Sequence, residues 1–559
     1  EADMLAKTKM STIEAEDYGN VQMAGDMKVA FVNYKATGMP LISIKNMEAD
    51  FNPKAFAIND FDAKLGETDV KANGQINNIL AYFAPEKTMR GQVNMRSQYV
   101  NADEWMPDEE TNETVVNTNE VEQETAVFDR FAFDIDAQID KLKYDVYEVE
   151  NIVAKGNLTP DKLTVENFSM DLYDSDLSGN GYIDNVFDYV FENETLEGQL
   201  NVNSNYFNLN RFMVEESASA SEVNPASEEL EPILIPENIR MVINSNFNKI
   251  HYTDMDLTNV KGQLVVADEA VQMQDVTANA LGGNMNIEGG YSTINADKPK
   301  FDLSYDLESI DFKEAFTKFN TIAAIAPIGK YIEGSFNSKM KMSSEIGKDF
   351  MPNLETLMAD GFFMTFNSQL RSFPPVEAIG NKLNIEELKS VKLDGTKNWF
   401  VVQDGRFLLE PFDYEVKDIA MNIDGSHQLT GGMDYNIKAK IPRKMLDKLG
   451  LGAAADKGIG LLSDQASKLG LDLNVGEFID VNINVKGSMT DPKIKLNLLG
   501  TSGDEGSIKD AAVDAVKDKA KEEFEKRKNE AEARLQAEKD RAEARARAEA
   551  ERLKANAEA

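Results

Sequence analysis

The 559-residue sequence contains no cysteine, which excludes disulfide bonds and thiolate chemistry. Histidine is almost absent, because only His251 and His427 occur, in separate parts of the chain. Two isolated imidazoles argue against a zinc site or a Ser-His-Asp triad, and the sequence has no P-loop, nucleophile elbow or HExxH motif. We therefore predict that the protein is not an enzyme and that it uses no metal and no cofactor.

Long apolar runs and positive charge are also scarce. The best apolar run, 322–328 (IAAIAPI), is far shorter than the ~18–20 residues that cross a membrane. The chain has 59 Lys and Arg against 97 Asp and Glu, a formal net charge of −38. Nucleic-acid binding needs a basic surface that displaces counterions, so the composition excludes that class. The same charge repels anionic lipid headgroups, so any lipid contact must be made mainly with acyl tails.

An internal repeat organises the residues that are present. Residues 69–106 align without a gap on residues 176–213, at an offset of 107 that places Gly74 on Gly181. Matches at Asn, Tyr, Gly and Met positions recur along both copies, which indicates a duplication. A third, shorter copy spans roughly 259–316.

Apolar and polar residues alternate with a period of two in these copies and beyond them, for example in GQVNMRS and GGMDYNIKAKI. This period predicts strands with one apolar and one wet face, and the Asn, Asp and Gly residues between them are typical of hairpin turns. We predict a mostly β protein in which alternating residues form a candidate lipid-groove face. These residues are Val93, Met95, Ile183, Leu200, Val202, Phe301, Leu303, Met433, Tyr435, Ile437, Val481, Ile483, Val485, Ile494, Leu496 and Leu498.

Helical patterns are few. They predict short helices at 311–326, 352–361 and from Pro442 to about Leu469. Residues 509–559 are mostly Ala, Glu, Lys and Arg, with 14 basic and 14 acidic side chains. This composition predicts a long, exposed, charged C-terminal helix, or a weak coiled coil.

Two acidic, polar tracts of low hydrophobicity interrupt the copies and are interpreted as mobile linkers. The chain is therefore divided into seven segments. They are the first β-repeat unit at 1–106, an acidic linker at 107–126, the second β-repeat unit at 127–213, an acidic linker at 214–232, the third β-repeat unit at 233–330, a C-terminal β region at 331–500 and the charged helical tail at 501–559.

Strands with one apolar face must cover that face. A closed sandwich or barrel would fill its core with side chains. A long curved sheet would instead leave a concave apolar groove, which would aggregate unless its ligand is lipid or another protein surface. The alternation alone does not separate these two arrangements.

The order of several segments resembles a known family. Residues 72–106, 178–213 and 330–373 each show a strand, a short connection and a second strand. The closing segment 481–498 contains a G-x-x-x-D-P turn between two strands, from Gly487 to Pro492. Together with the internal repeat, this order resembles the AsmA-like family, the AsmA/TamB group of bridge-like, repeating β-groove envelope proteins.

The resemblance implies an elongated, curved antiparallel β-groove with short linker helices. It also implies a lipid-tail-shielding function that supports phospholipid transport between inner and outer membranes and outer-membrane maintenance. The implied partners are phospholipid acyl chains and, in addition, an outer-membrane protein. The implied location is the periplasm of a diderm bacterium, attached to the inner membrane through an N-terminal anchor that this chain lacks. The charged helical tail has no counterpart that the resemblance would explain.

Two other functions stay open. A scaffold or chaperone for outer-membrane protein assembly, as proposed for TamB-like proteins, would pair a nascent strand with an exposed sheet edge. A filled β structural or adhesin protein would have no groove, and its helical tail would act as an oligomerisation stalk.

Two weaker signals have plain interpretations. The string Asp174-x-Asp176-x-Ser matches the first half of a calcium loop, but its twelfth position is Asn185, so we interpret it as a polar hairpin. Trp105 and Trp399 are isolated in the sequence, and we interpret both as packing residues rather than membrane anchors.

Overall fold

The computed structural model places most of the β body and a few residues of the tail. The described residues are 2–7, 22–35, 40–52, 54–77, 88–105, 130–192, 194–212, 234–318, 325–347, 352–383, 385–393, 395–448, 477–502, 521–522, 525–526, 528–529 and 533. They divide into two compact units that meet in the sequence between Val271 and Gln272. The prediction of a mostly β protein with an open, curved, antiparallel-dominated sheet and few short helices is confirmed. The division into seven segments stays a prediction.

The first unit is built from strands β1 to β14 and one short helix, α1 (Val186–Glu192). Two 3₁₀ segments, Asp103–Trp105 and Leu209–Phe212, follow β6 and β12. The strands are β1 (Ala2–Lys7), β2 (Gln22–Tyr34), β3 (Ile42–Asn52), β4 (Ala55–Leu65), β5 (Thr68–Asn77), β6 (Met89–Asn101), β7 (Phe131–Tyr144), β8 (Tyr147–Leu158), β9 (Lys162–Leu172), β10 (Ser175–Asp184), β11 (Leu196–Ser204), β12 (Phe207–Asn208), β13 (Ile239–Tyr252) and β14 (Met255–Ala267).

In its described residues up to 502, the second unit carries the remaining strands and the helices α2 (Phe312–Lys318), α3 (Pro374–Leu383) and α4 (Arg443–Lys448). Two 3₁₀ segments, Pro327–Tyr331 and Glu386–Lys389, complete it. The strands are β15 (Ala270–Ala280), β16 (Gly283–Ser292), β17 (Lys300–Asp311), β18 (Ile332–Glu345), β19 (Met358–Arg371), β20 (Ser390–Lys392), β21 (Lys397–Gln403), β22 (Arg406–Val416), β23 (Ile419–Gln428), β24 (Met433–Pro442), β25 (Phe478–Gly487) and β26 (Pro492–Ser502).

Strands that follow one another in the sequence pair antiparallel through most of the first unit, with three exceptions. β6 pairs parallel with β7, and both β11 and the two-residue strand β12 pair parallel with β13. A parallel pair needs a crossover connection rather than a tight turn. Both connections contain a predicted acidic linker, 107–126 or 214–232, and each linker lies outside the described residues.

The pairing in the second unit is antiparallel from β16 to β26, with β19 carrying β20 and β21 side by side on one edge. The turn between β21 and β22 shows how the sequence specifies a tight hairpin. Asp404 and Gly405 both have positive φ, 53° and 66°, as a two-residue type I′ turn requires. An Asp-Gly dipeptide between alternating strands is the expected signal for that turn.

The internal repeat is visible in hydrogen bonds as well as in sequence. The carboxylate of Asp69, at the start of β5, accepts the backbone N–H groups of Gln98 (3.0 Å) and Tyr99 (2.7 Å). Asp176, 107 residues later, accepts the backbone N–H groups of Asn205 and Tyr206 in the same way. The calcium-like string therefore contributes a clamp between the ends of two strands.

The helix predicted at 352–361 is wrong. Residues 354–356 form a turn, and β19 begins at Met358. The run GFFMTF that starts at Gly361 pairs with β18 on one side and with β21 on the other. The predicted helix of ten residues would have fewer than three turns, too few to be stable by itself, so strand pairing decides the conformation.

The other helix predictions are met in part. α2 covers the first half of 311–326, and α4 covers the start of the run from Pro442, whose remainder from 449 onwards is not described. α3 was not predicted, although its opening Pro374-Pro375 is typical of a helix N-terminus. Of the predicted tail helix, the seven described residues between 521 and 533 are all helical.

Candidate functional site

Cross-strand pairs define rows of residues that run across the first unit. Directly opposed residues on neighbouring strands point to the same side of a sheet. The first row takes one residue from each of β2–β11, β13 and β14: Met27, Ala49, Ile58, Gly74, Val93, Ile135, Gly156, Val165, Gly181, Leu200, Ile243 and Leu264.

Two more rows flank the first one across the same twelve strands. The second row is Gly25, Phe51, Phe56, Ile76, Gly91, Phe133, Leu158, Leu163, Ile183, Gly198, Met241 and Val266. The third row is Val29, Met47, Phe61, Ala72, Met95, Ala137, Ala154, Phe168, Gly179, Val202, Ser245 and Gly262. None of the three rows contains a charged residue, and Ser245 is their one polar member. At a strand spacing of about 4.8 Å, twelve strands give an uncharged path of about 50 Å.

Most residues of this apolar face are partly exposed, and the buried row members are Ala49, Gly198 and Met241. In the described residues up to 212, the buried hydrophobic side chains are Ala49, Ala63, Phe131 and Leu177. The five residues predicted for the groove in this unit all belong to the rows, and each keeps part of its surface in solvent: Val93, Met95, Ile183, Leu200 and Val202. A filled core would bury them, so the first unit has an open apolar face.

The opposite face of the same strands is polar. Side-chain amides form a ladder across it, in which Asn201 bonds to Asn180 (2.7 Å), Asn244 bonds to Asn201 (2.9 Å) and Gln263 bonds to Asn244 (2.8 Å). Ion pairs such as Lys155–Asp136 lie on this side as well. The alternation of the sequence therefore corresponds to one apolar and one hydrated face, as predicted.

The second unit has rows of the same kind across ten strands. One row is Ile287, Tyr305, Met340, Gly361, Phe400, Leu409, Gly425, Tyr435, Val485 and Ile494. A second row is Gly289, Leu303, Met342, Ala359, Val402, Phe407, His427, Met433, Gly487 and Pro492. The remaining predicted residues join the same face as pairs or short rows: Ile437 with Ile483 and Leu496, Val481 with the backbone of Leu498, and Phe301 with Tyr291 and Ser344.

This second apolar face is covered, unlike the first. Phe400 is 1% exposed and Ile483 is fully buried. α2, α3 and the 3₁₀ segment Pro327–Tyr331 form a roof over it, and the Phe312 ring of α2 lies 4.4 Å from the ring of Phe336 on β18. The first unit therefore leaves its apolar face open, whereas the second unit covers its apolar face with helices, and neither is the closed sandwich or barrel that was the other expectation.

An aromatic row crosses the roofed face, and sequence reasoning found only its last member. Successive ring centres lie 5.5, 5.1, 5.1, 4.9 and 6.3 Å apart. The rings come from six strands that neighbour one another in the sheet: Phe336, Phe363, Phe400, Phe407, His427 and Tyr435. The aromatic residues of GFFMTF and GRFLLE were a usable signal, but their common face depends on strand register, which the sequence pattern does not contain.

His427 connects the sheet to the roof. Its Nε2–H donates to the carbonyl of Ile325 (2.9 Å), and its Nδ1 accepts from the hydroxyl of Tyr435 (2.9 Å). Burial lowers the pKa of His427, and the nearby guanidinium of Arg406 lowers it further, while the bond to Ile325 raises it. The imidazole is therefore held neutral, and its bonds fix the start of the segment that enters the roof.

No helix in the described part of the chain is long and apolar enough to cross a membrane. Among the same residues, no group of three or more His, Cys, Asp or Glu side chains is placed to hold a metal ion. Comparisons with protein-family models, with curated proteins and with solved structures found no match. The resemblance to the AsmA-like family therefore stays a prediction.

Proposed function

We propose that the open apolar face of the first unit shields lipid acyl tails and thereby supports phospholipid transport between the inner and outer membranes. The observation that carries the proposal is the set of three uncharged rows that continue through twelve strands, in which most residues are partly exposed. An exposed apolar surface of this length normally marks an interaction site. A hydrocarbon ligand would cover it with a gain of roughly 25 cal/mol per Å² of apolar surface removed from water.

Charge and backbone both favour tails over headgroups as the bound part. The net charge of −38 disfavours anionic headgroups, while the amide ladder keeps the opposite face hydrated. Glycines leave low points between larger side chains in the rows. At Gly181, a Cβ atom would lie 2.1 Å from the carbonyl oxygen of Gln199, so the close approach of β10 and β11 requires glycine.

Transfer along such a face needs no catalytic residue, only a continuous apolar path. The periplasmic location, an inner-membrane anchor and an outer-membrane partner are parts of the proposal that rest on the resemblance to AsmA-like proteins. A role in outer-membrane maintenance follows from phospholipid delivery.

The test is mass spectrometry of organic extracts from the chain purified without detergent. We expect more than one phospholipid per chain, and we expect Val202→Asp to reduce that number because the carboxylate interrupts the third row. Asn203→Asp is the matched control, since it adds the same charge to the next residue of β11 on the hydrated face. Lipid-free wild-type protein would overturn the proposal and favour the strand-chaperone or filled structural alternatives.

A further inference from the structure

The second unit has a partly open cavity of about 260 Å³ between its roof and the apolar face. The roof contributes Phe316 of α2, Ile328 of the 3₁₀ segment and Val376 of α3 to the cavity wall. The sheet contributes Phe363, Ile423 and Tyr435. It is larger than the ~150 Å³ cavities that stay dry and bind benzene. It is smaller than the roughly 300–1,000 Å³ sites that take drug-sized ligands, so two lipid chains would not fit.

Most polar side chains in the cavity wall are already satisfied. His427 uses both ring nitrogens, and its partner Tyr435 donates its hydroxyl to it. The hydroxyl of Thr365 donates to the carbonyl of Leu393, and Tyr414 donates to the carbonyl of Lys392. A polar ligand would gain no hydrogen bond from these groups and would lose its own hydration, so the wall selects hydrocarbon.

Asn398 differs from these polar residues. It lies on β21 opposite Phe363, its side chain lines the cavity, and within the described residues it has no hydrogen-bond partner. A free carboxamide can donate to a carbonyl or carboxylate oxygen. The wall thus combines a hydrocarbon-lined volume with one donor, which matches an acyl group better than a plain alkane.

We propose that this cavity binds one acyl chain, with the carboxyl or ester oxygen at Asn398. This proposal rests on the proposed function in one respect, that the ligand is an acyl chain. The open face of the first unit would hold several tails side by side, whereas the cavity of the second unit holds a single chain under a roof.

Calorimetric titration of the delipidated full chain with C6, C8, C10, C12 and C14 fatty acids tests the proposal. We expect one site, with an affinity that rises about three- to fourfold per added methylene and levels off when the cavity is full. Val376→Trp should abolish binding by filling the cavity, while Val376→Ala should keep it. Binding that ignores chain length, or that survives Val376→Trp in a folded protein, would overturn the proposal. The chain-length series on the unaltered chain decides the question even where the tryptophan variant does not fold.

The role of Asn398 has its own readout. Asn398→Leu should weaken decanoate binding by about two- to tenfold, the value of one hydrogen bond, and leave decyltrimethylammonium unaffected because that probe has no acceptor. Equal losses for both probes would show that Asn398 acts only through packing and would overturn its assignment.

The same titration in Val202→Asp separates this inference from the proposed function. Unchanged binding of one fatty acid, in a protein whose phospholipid content has fallen, supports both. One-site binding in a wild-type chain that carries no phospholipid upholds the cavity and overturns the proposed function. If the chain carries more than one phospholipid but shows no fatty-acid site, the proposed function stands and the cavity proposal is overturned.

Discussion

Lys528 of the C-terminal tail places its ammonium nitrogen 4.1 Å from the ring centre of Trp399 on β21. The indole packs against Phe362, whose ring centre is 4.8 Å away, and against Val401, which is fully buried. Two neighbouring tail residues differ in exposure, since Lys526 is exposed and Lys528 is partly buried. The tail, whose role the sequence left open, therefore contacts the hydrated side of the second unit at this point, and Trp399 is a packing residue.

Removal of the Lys528 cation should loosen this contact. A cation over an exposed indole contributes about 0.5–1 kcal/mol, so Lys528→Gln should make Trp399 more accessible to acrylamide quenching. The measurement uses a Trp105→Phe background, in which Trp399 is the one remaining tryptophan. Lys526→Gln serves as the control and should have no effect. Identical quenching in both variants would contradict the contact.

Open and roofed apolar faces should respond differently to a buried charge. Ile483 is fully buried between β24 and β26, so Ile483→Asp should destabilise the second unit by about 3–5 kcal/mol or unfold it. Val202 keeps contact with solvent, so Val202→Asp should cost less than about 1.5 kcal/mol because its carboxylate stays hydrated. Urea unfolding followed by circular dichroism compares the two. Similar losses would mean that the first unit is a filled core as well.

His427 makes the second unit sensitive to acid. Its pKa is lowered in the folded state by burial and by Arg406, so the unfolded chain binds a proton at a higher pH than the folded one. The stability of the second unit should therefore be constant above the unfolded pKa of about 6.5 and fall as the pH drops below it. Melting curves at pH 7.5 and 5.5 measure this loss. The variant His427→Gln should be less stable than the wild type at pH 7.5, because it loses the hydrogen bonds to Ile325 and Tyr435. Its stability should, however, fall less than that of the wild type between pH 7.5 and pH 5.5.

The two aspartate clamps of the repeat should be equivalent. Asp176→Ala removes the acceptor for two backbone N–H groups, which should cost about 1–3 kcal/mol, and Asp69→Ala should cost a similar amount. Urea midpoints give both values, with Glu166→Ala, a change at an exposed residue of β9, as a near-neutral control. Millimolar Ca²⁺ should not shift the melting temperature of the wild type. A calcium-dependent rise that disappears in Asp176→Ala would contradict the clamp interpretation.

Much of the candidate site could be predicted because alternation is a local property. Every residue predicted for the groove lies in a strand, and those whose side chains are described lie on the apolar face of their unit, from Val93 on β6 to Leu496 on β26. The prediction was weaker wherever conformation depended on a distant partner. The segment around Leu357 has a helical pattern but enters a strand, because β18 and β21 supply the hydrogen bonds that a lone short helix lacks.

Burial could not be predicted, for the same reason. Val202 and Ile483 occupy equivalent alternating contexts, yet one is partly exposed and the other is fully buried. The difference comes from what packs above them. His427 illustrates the point further, because its bond to Ile325 joins residues that are 102 positions apart in the chain.

The sequence by itself determined that this protein is mostly β, that it contains a duplication, and that its strands have one apolar and one polar face. These properties follow from side-chain periodicity and turn chemistry, which act over a few residues. Only the tertiary structure decided that the apolar face is open in the first unit and roofed in the second, and that a partly open cavity lies under the roof. Those properties depend on strand register and on helices packed from elsewhere in the chain, and no local pattern encodes either.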